Sequence, residues 1–170
     1  MRKSKKTASI GENLIENYKN FLNNGKTERE CVSQIIKTAE ANGYKNVYSC
    51  KSLKAGDKVY VQKMNKAIAL FQNGTYSFVI GMIILGAHIY SPRLDAKQNP
   101  LYEKDFETYL NTHYYGGIKK YQWVTIPLAI HGIVCKTDGT SINVNIGEEE
   151  LDPVFCISDI LPHLAQDQMK

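Results

Sequence analysis

Residues 82 to 95 read MIILGAHIYSPRLD, an apolar run that ends in a histidine, His88, just before a serine-proline turn. Because the run is apolar at consecutive positions, a strand formed from it has two apolar faces, which is typical of a central strand covered on both sides. A histidine at the end of such a strand has two interpretations. It is either a metal ligand facing the crevice where open sheets bind ligands, or a core residue bonded to a backbone carbonyl.

The residues before this run predict antiparallel strands. Residues 54 to 74, KAGDKVYVQKMNKAIALFQNG, contain a Gly-Asp turn, two β-rich stretches on either side of KMNK, and an Asn-Gly turn. We therefore expect a sheet with an antiparallel edge and helices packed on it.

Two helices are predicted upstream of these strands. Apolar residues recur at helical spacing in the first: Ile10, Leu14, Ile15, Tyr18, Phe21 and Leu22. Gly25 is expected to end this helix in a left-handed conformation. Thr27 and Glu30 have the spacing of a capping box for the second helix, and Gly43 is expected to end it.

The residues after the central run predict a loop and then a second β-rich region. Residues 91 to 105, SPRLDAKQNPLYEKD, are rich in turn formers. Strands are predicted in YQWVTIPLAIHGIVCK (121 to 136) and SINVNIG (141 to 147), with a turn at KTDGT between them. The segment that follows residue 147 is mixed in character.

Composition narrows the class of protein. The chain has 170 residues and 43% hydrophobic content, enough for one domain or two small ones. Its net charge of +4 comes largely from the opening MRKSKK, which gives little support for nucleic-acid binding.

The residues after this opening lack the unbroken apolar stretch of a signal peptide, so a cytoplasmic protein is expected. Residues 78 to 87 are too few to cross a membrane. Four scattered cysteines predict reduced, mostly buried thiols.

Six segments together carry a resemblance to a known family. They are KTERE (26 to 30), KAGDKVY (54 to 60), GAHIYSPRLDAKQNPLYE (86 to 103), THYYGGIKKYQW (112 to 123), VNIGEEELDPVF (144 to 155) and DILPHLA (159 to 165). Their order and spacing resemble the bacterial branch of the aspartyl-aminopeptidase and aminopeptidase I family of zinc exopeptidases. The resemblance implies an α/β fold, with residues 1–111 as the N-terminal part of a catalytic domain of helices on a mixed sheet. Residues 112–170 would begin an inserted β-rich dimerisation domain, so a homo-oligomer is implied.

The chemistry that the resemblance implies is hydrolysis of the N-terminal residue of a peptide. Water held between two metal ions, usually zinc, attacks the carbonyl while a glutamate takes the proton. His88 matches the family's first metal ligand, which favours the ligand interpretation. The family has an aspartate, which orients that histidine, where this chain has Tyr90. A neutral phenol lacks that charge, and losing such a partner typically costs about 10–100-fold in metal affinity or activity.

The family's other ligands and its general base lie beyond the insertion. Lys170, the last residue of this sequence, falls inside that insertion. One histidine does not hold a catalytic zinc, which takes about three protein ligands, so no catalytic residue is expected in the chain itself. His113 and His131 are expected to be exposed or packing residues. The family also sends a histidine towards the neighbouring subunit's site. Either His163 or the position of Asp167 corresponds to it, and a functional role for His163 is the less expected outcome.

Three further features have modest interpretations. The pair Gly116-Gly117 suits a backbone bend that acts as a hinge. A cluster of aromatic residues suits strand packing or a subunit interface better than stacking on bases: Tyr114, Tyr115, Tyr121 and Trp123. Residues 147 to 152, GEEELD, suit a solvated acidic turn, with discrimination of substrate charge as the alternative.

Three hypotheses follow. In the first, the chain is the N-terminal part of a zinc aminopeptidase and is inactive alone. In the second, it is a non-catalytic remnant of that family that oligomerises through its β-rich region. In the third, it is an unrelated small binding protein. The six matching segments nearly exclude the third.

Overall fold

The computed structural model describes residues 3–89 and 91–169. The chain divides into two compact units, Met1–Tyr90 and Ser91–Lys170. Strand pairing within the second unit crosses the predicted domain boundary, since Ala96 pairs with Thr112 and Asp95 pairs with His113. Compact units of this chain are not the same thing as the domains of a longer protein, so the division after residue 111 stays a prediction.

The two predicted helices are confirmed. Helix α1 spans Lys3–Asn24 and helix α2 spans Glu28–Ala41. At the start of α2, the Thr27 hydroxyl accepts from the Glu30 amide at 3.3 Å and the Glu30 carboxylate accepts from the Thr27 amide at 2.8 Å, which is the predicted capping box. Gly43 ends the helix with a φ of 85°, and the next amide, of Tyr44, donates to the Ala39 carbonyl at 3.0 Å.

The predicted left-handed turn at Gly25 is wrong, because the φ of this residue lies outside the left-handed region. Gly25 is buried instead, between the end of α1 and the start of α2. A Cβ atom there would lie 2.7 Å from Cys31 Sγ and 2.9 Å from the Phe21 carbonyl oxygen. The glycine is therefore required by the close approach of the two helices.

The first unit contains a small mixed sheet with a helix packed on it. Its strands are β1 (Lys45–Asn46), β2 (Lys58–Lys63) and β3 (Ala67–Gln72), with β1 parallel and β3 antiparallel to β2. Helix α2 packs against β2 and β3. Among the residues whose burial is described, the apolar core of this unit consists of Cys31, Val32, Ala39, Val59 and Tyr60. The predicted antiparallel pair and the prediction of helices on a mixed sheet are both confirmed here.

The predicted central strand at MIILGAHI is wrong. Residues 78–80 form a short 3-10 helix, and residues 81–89 have no regular secondary structure. Large apolar side chains are exposed throughout residues 79–87, which we call the apolar segment; the exposed fraction reaches 94% at Val79 and Ile83 and 93% at Leu85. A central strand needs neighbouring strands and a layer on each face, and among the described residues none of the strands pairs with this segment.

The predicted loop over residues 91–105 is also wrong, because most of it forms a hairpin strand. Strand β4 (Arg93–Lys104) pairs antiparallel with β5 (Glu107–Tyr115). Asp105 and Phe106 both have positive φ and form the two-residue turn that matches the twist of a hairpin. The rings of Tyr102 and Tyr109 stack across the strands with centroids 5.3 Å apart. The register of the pairing shifts between Ala96 and Leu101. This shift accommodates Pro100, which has no backbone N–H to donate to the neighbouring strand.

The second predicted hairpin is confirmed. Strands β6 (Ile130–Cys135) and β7 (Ser141–Ile146) pair antiparallel, and the turn between them contains Gly139 with a φ of 84°. The predicted strand starts too early, however, since Lys120–Trp123 forms a 3-10 helix. Within the described residues, no helix has the length and apolar character needed to cross a membrane.

Candidate metal centre

His88 directly follows the apolar segment and is exposed. Its backbone belongs to the irregular stretch 81–89, so the predicted position at the end of a rigid strand is not formed here. Tyr90, the predicted partner of His88, lies outside the described residues. The role of His88 as a metal ligand and the role of Tyr90 stay predictions.

The other three histidines lie in the second unit and have separate surroundings. The exposed ring of His113 stacks on Tyr114 with centroids 5.0 Å apart. The Nε2 atom of His131 lies 2.9 Å from Glu148 Oε1, and the His131 side chain is only 11% exposed. His163 is exposed in the turn that follows Pro162. The expectation that His113 and His131 are exposed or packing residues is confirmed, and the inter-subunit role of His163 stays a prediction.

The acidic turn at residues 147–152 is more ordered than the sequence indicated. One Asp152 carboxylate oxygen accepts from the Gly147 amide at 2.9 Å and from the Glu149 amide at 3.3 Å. Glu148 contacts His131, whereas Glu149 and Glu150 are exposed as predicted. The sequence signal for this contact is the hairpin itself, because β6 and β7 bring residues 131 and 145 opposite each other. Glu148 follows residue 145 by three positions, so its carboxylate is within reach of the His131 ring.

The four cysteines are free thiols, as predicted, but only Cys31 is buried. Cys50 is half-buried, and Cys135 and Cys156 are exposed, so the expectation of mostly buried thiols is wrong. Burial raises the pKa of the Cys31 thiol, and the nearby carboxylates of Glu30 and Glu28 raise it further. Cys31 donates to the Gly25 carbonyl oxygen at 3.5 Å. Because the thiolate is the form that binds metals, the raised pKa disfavours metal binding by Cys31.

The aromatic cluster makes contacts inside the second unit. The Arg93 guanidinium lies 4.4 Å from the centroid of the Tyr115 ring, and the Lys120 ammonium lies 5.6 Å from that of Tyr114. Gly116 bends the backbone with a φ of 82°, and a Cβ there would lie 3.4 Å from Pro92 Cα. These contacts support the packing interpretation and the predicted bend.

The described residues do not fit a complete zinc site. In the two stretches that the structure covers, 3–89 and 91–169, no group of three or more His, Cys, Asp or Glu side chains is arranged to hold a metal ion. A catalytic zinc takes about three protein ligands. His88 therefore represents at most one ligand of a centre that the described residues do not complete.

Comparison with known proteins gives consistent results. A family model described as aminopeptidase I zinc metalloprotease (M18) matches residues 21–170. A probable M18 family aminopeptidase 1 from Clostridium acetobutylicum is 56% identical over 161 residues, which cover 92% of this chain and 35% of that protein. A relative with the same description from Thermotoga maritima is 42% identical over 159 residues, covering 94% of this chain and 35% of its own length.

Solved structures agree with the sequence matches. The crystal structure of aminopeptidase I from Borrelia burgdorferi B31 is similar with a TM-score of 0.86 and 40% identity, covering 95% of this chain and 40% of that one. The helices and small sheets of this chain thus resemble those of M18 aminopeptidases, which confirms the predicted α/β class. The chain spans about 35% of the length of the curated relatives it matches.

Proposed function

Since the chain belongs to the aminopeptidase I zinc metalloprotease (M18) family, we propose that it is part of a zinc-dependent aminopeptidase that removes N-terminal residues from peptides. The observation that carries the proposal is the family match over residues 21–170, supported by relatives described as probable aminopeptidases. Because the chain spans about 35% of those relatives, the activity belongs to the longer protein. A cytoplasmic location and peptide substrates are part of the same proposal.

We propose His88 as one metal ligand of that protein. Its support is the motif His88-Ile89-Tyr90-Ser91-Pro92, which resembles the metal-binding motif of the family. The described residues supply no complete ligand set around it, so the 170-residue chain alone is proposed to be inactive.

The activity assay measures release of p-nitroaniline from aspartyl, glutamyl and leucyl substrates with added zinc, manganese or cobalt. We expect the chain to give no turnover with any of these metals, because one histidine does not hold a catalytic ion. Metal-dependent turnover that copurifies with the chain and disappears in His88→Ala would contradict inactivity. A longer protein containing this chain is expected to be active, and to lose activity in His88→Ala.

Tyr90 is proposed to weaken metal binding by failing to orient His88. Restoring the family residue in Tyr90→Asp is expected to strengthen zinc binding by about 10–100-fold, since a carboxylate partner fixes the imidazole and raises its basicity. NMR of the His88 ring during a zinc titration measures the affinity of both forms. Equal zinc responses in the two forms would contradict the ligand interpretation of His88.

The second candidate is a non-catalytic member of the family that oligomerises. The second unit exposes several large apolar side chains, which favours a buried interface: Leu101, Phe106, Leu151, Val154, Leu161 and Leu164. We propose a homo-oligomer formed through this unit, in which either His163 or the position of Asp167 faces the neighbouring subunit. Light scattering of the chain, with and without Ser91–Lys170, measures the association. A monomer at high concentration in both forms would contradict it.

The coding sequence after the Lys170 codon separates the two candidates. An in-frame continuation that carries further histidine and acidic ligands supports the aminopeptidase, whereas a stop codon supports the non-catalytic form.

A further inference from the structure

The dipeptide Asn-Gly occurs three times in the chain, at residues 24–25, 42–43 and 73–74. An asparagine followed by glycine is chemically labile, because the backbone nitrogen of the glycine can attack the side-chain carbonyl carbon of the asparagine. Glycine has no Cβ atom that would obstruct this approach. Since the three copies share the same dipeptide, differences in their reactivity come from the fold around them.

Two of the copies are held at the ends of helices. The Gly25 amide donates to the Leu22 carbonyl oxygen at 3.4 Å, and Gly25 is buried. The Gly43 amide donates to the Glu40 carbonyl oxygen at 3.0 Å. In both copies the nitrogen that would attack is already bonded, and freeing it requires local unfolding of the helix end.

The third copy lies in irregular backbone directly after β3. None of the described residues accepts a hydrogen bond from the Gly74 amide, and Gly74 is exposed. Apart from its neighbours in the chain, a Cβ atom at Gly74 would have only the Tyr76 backbone nitrogen within 4 Å, at 3.9 Å. We propose that Asn73 is the site at which this chain deamidates, with water as the co-reactant. The proposal rests on this geometry and does not depend on the proposed aminopeptidase activity.

The asparagine side chains do not distinguish the three copies. Each side-chain amide donates to a backbone carbonyl oxygen at 2.8 Å: Asn24 to Asn20, Asn42 to Thr38 and Asn73 to Lys54. The glycine amide is therefore the group that differs. Freeing a bonded amide lowers the population of the reactive form by about fivefold, so Asn73 reacts faster than Asn42 by at least about that factor.

The reaction closes a succinimide ring and then opens it. The Gly74 amide nitrogen gives its proton to water or hydroxide and bonds to Asn73 Cγ. The bond between Cγ and Nδ2 breaks, and Nδ2 takes up a proton and leaves as ammonia. Water then hydrolyses the ring at either of its carbonyl groups. The products at position 73 are aspartate and isoaspartate, in which the main chain runs through Cβ and Cγ.

Deamidation would break contacts that join the end of β3 to the turn before β2. Asn73 Nδ2 donates to the Lys54 carbonyl oxygen, and the Asn73 amide donates to the Asp57 carbonyl oxygen at 2.8 Å. The Asn73 carbonyl oxygen accepts from the Gly56 amide at 2.7 Å. A carboxylate only accepts hydrogen bonds, so aspartate at position 73 sets a negative oxygen against the Lys54 carbonyl oxygen. Isoaspartate also lengthens the main chain and displaces both backbone bonds.

The experiment incubates the full 170-residue chain at neutral pH, in buffer and in denaturant. Peptide mapping by mass spectrometry follows each asparagine, and labelling by an isoaspartate methyltransferase detects the isoaspartyl product. In buffer we expect Asn73 to react at least about fivefold faster than Asn24 and Asn42. In denaturant the three rates are expected to converge, because no fold then protects the glycine amides.

Three results would overturn the proposal. The first is an equal or faster reaction at Asn24 or Asn42 in buffer. The second is the same ranking of the three sites in denaturant as in buffer, since the fold would then have no part in the selectivity. The third is an absence of product at Asn73 in buffer over the time in which the denatured chain reacts.

Matched variants separate the reaction from its consequence. Gly74→Ala is expected to abolish the product at Asn73 and to leave the fold intact, because the new Cβ has open space and the φ of Gly74 is not left-handed. Asn73→Asp mimics one product and is expected to speed hydrogen exchange of the Gly56 amide, whereas Asn42→Asp is the control that leaves this exchange unchanged. Undiminished reaction in Gly74→Ala would contradict attack by that amide. Unchanged Gly56 exchange in Asn73→Asp would contradict release of the turn.

Discussion

Helix α2 and the three strands β1 to β3 form what we call the helix–sheet module. This module and the apolar segment contain similar side chains in different surroundings. Val32 in α2 is 1% exposed, whereas Val79 in the apolar segment is 94% exposed. In the module, the chain itself supplies the partner of each apolar face, because α2 packs against β2 and β3. In the apolar segment the described residues supply none of the required strands. An apolar run thus becomes a strand only where its neighbours are present.

The largest expected effect comes from placing the same charge in the two regions. Val32→Asp buries an unpaired carboxylate and is expected to lower the free energy of unfolding by roughly 3–5 kcal/mol, enough to unfold the module. Val79→Asp is expected to leave it unchanged, since the side chain is already in water. Chemical denaturation of both variants measures the difference. Equal losses would show that residue 79 is packed as tightly as residue 32.

A smaller effect is expected from adding one methyl group in each region. In Gly25→Ala the new Cβ would meet Cys31 Sγ and the Phe21 carbonyl oxygen, so we expect a loss of about 1–3 kcal/mol. Gly86→Ala in the apolar segment has nothing within 4 Å of the new atom and is expected to be neutral. Thermal unfolding of the two variants tests this. A neutral Gly25→Ala would contradict the close approach of α1 and α2.

The smallest expected effect is a pH dependence confined to the module. The Tyr60 hydroxyl donates to Glu40 Oε1 at 2.8 Å, and this hydrogen bond, with burial adding to it, raises the pKa of Tyr60 above its ordinary value of 10.0. Because the pKa of Tyr60 is higher in the folded state, the hydrogen bond stabilises the fold fully below pH 10. This stabilisation is lost as the pH rises through the folded-state pKa. From pH 7 upward, the wild type should therefore be more stable than Tyr60→Phe, and the advantage should shrink above pH 10.

Tyr76→Phe is the matched control for that measurement, because Tyr76 is 82% exposed just before the apolar segment. We expect its unfolding curve to follow the wild type at every pH. A stability difference between Tyr60→Phe and wild type that stayed constant to high pH would contradict a hydrogen bond to the Glu40 carboxylate.

Local chemistry explains the parts of the fold that the sequence predicted correctly. The capping box of Thr27 and Glu30, the left-handed Gly43 and the turn at Gly139 each depend on residues within a few positions. The hairpin of β4 and β5 was missed because its turn, Asp105-Phe106, lacks a glycine, although both residues adopt positive φ. Gly25 was misinterpreted because its role depends on Cys31, across the junction of two helices.

The site was less predictable than the fold, for a physical reason. The motif around His88 indicates a metal ligand, but ligands of one ion come from distant parts of a chain and meet only after folding. His88 has no ligand set around it among the described residues. The contact between His131 and Glu148 was missed for the same reason, since it depends on the register of β6 and β7.

Hydrogen exchange of the isolated chain tests the central claim most directly, namely that the helix–sheet module is complete within this chain and the apolar segment lacks its partners. We predict slow exchange for the paired amides of Lys58–Lys63 and Ala67–Gln72, and exchange close to that of an unfolded peptide for residues 81–87. Protection of residues 81–87 as strong as that of β2, in a sample shown to be monomeric, would contradict the account.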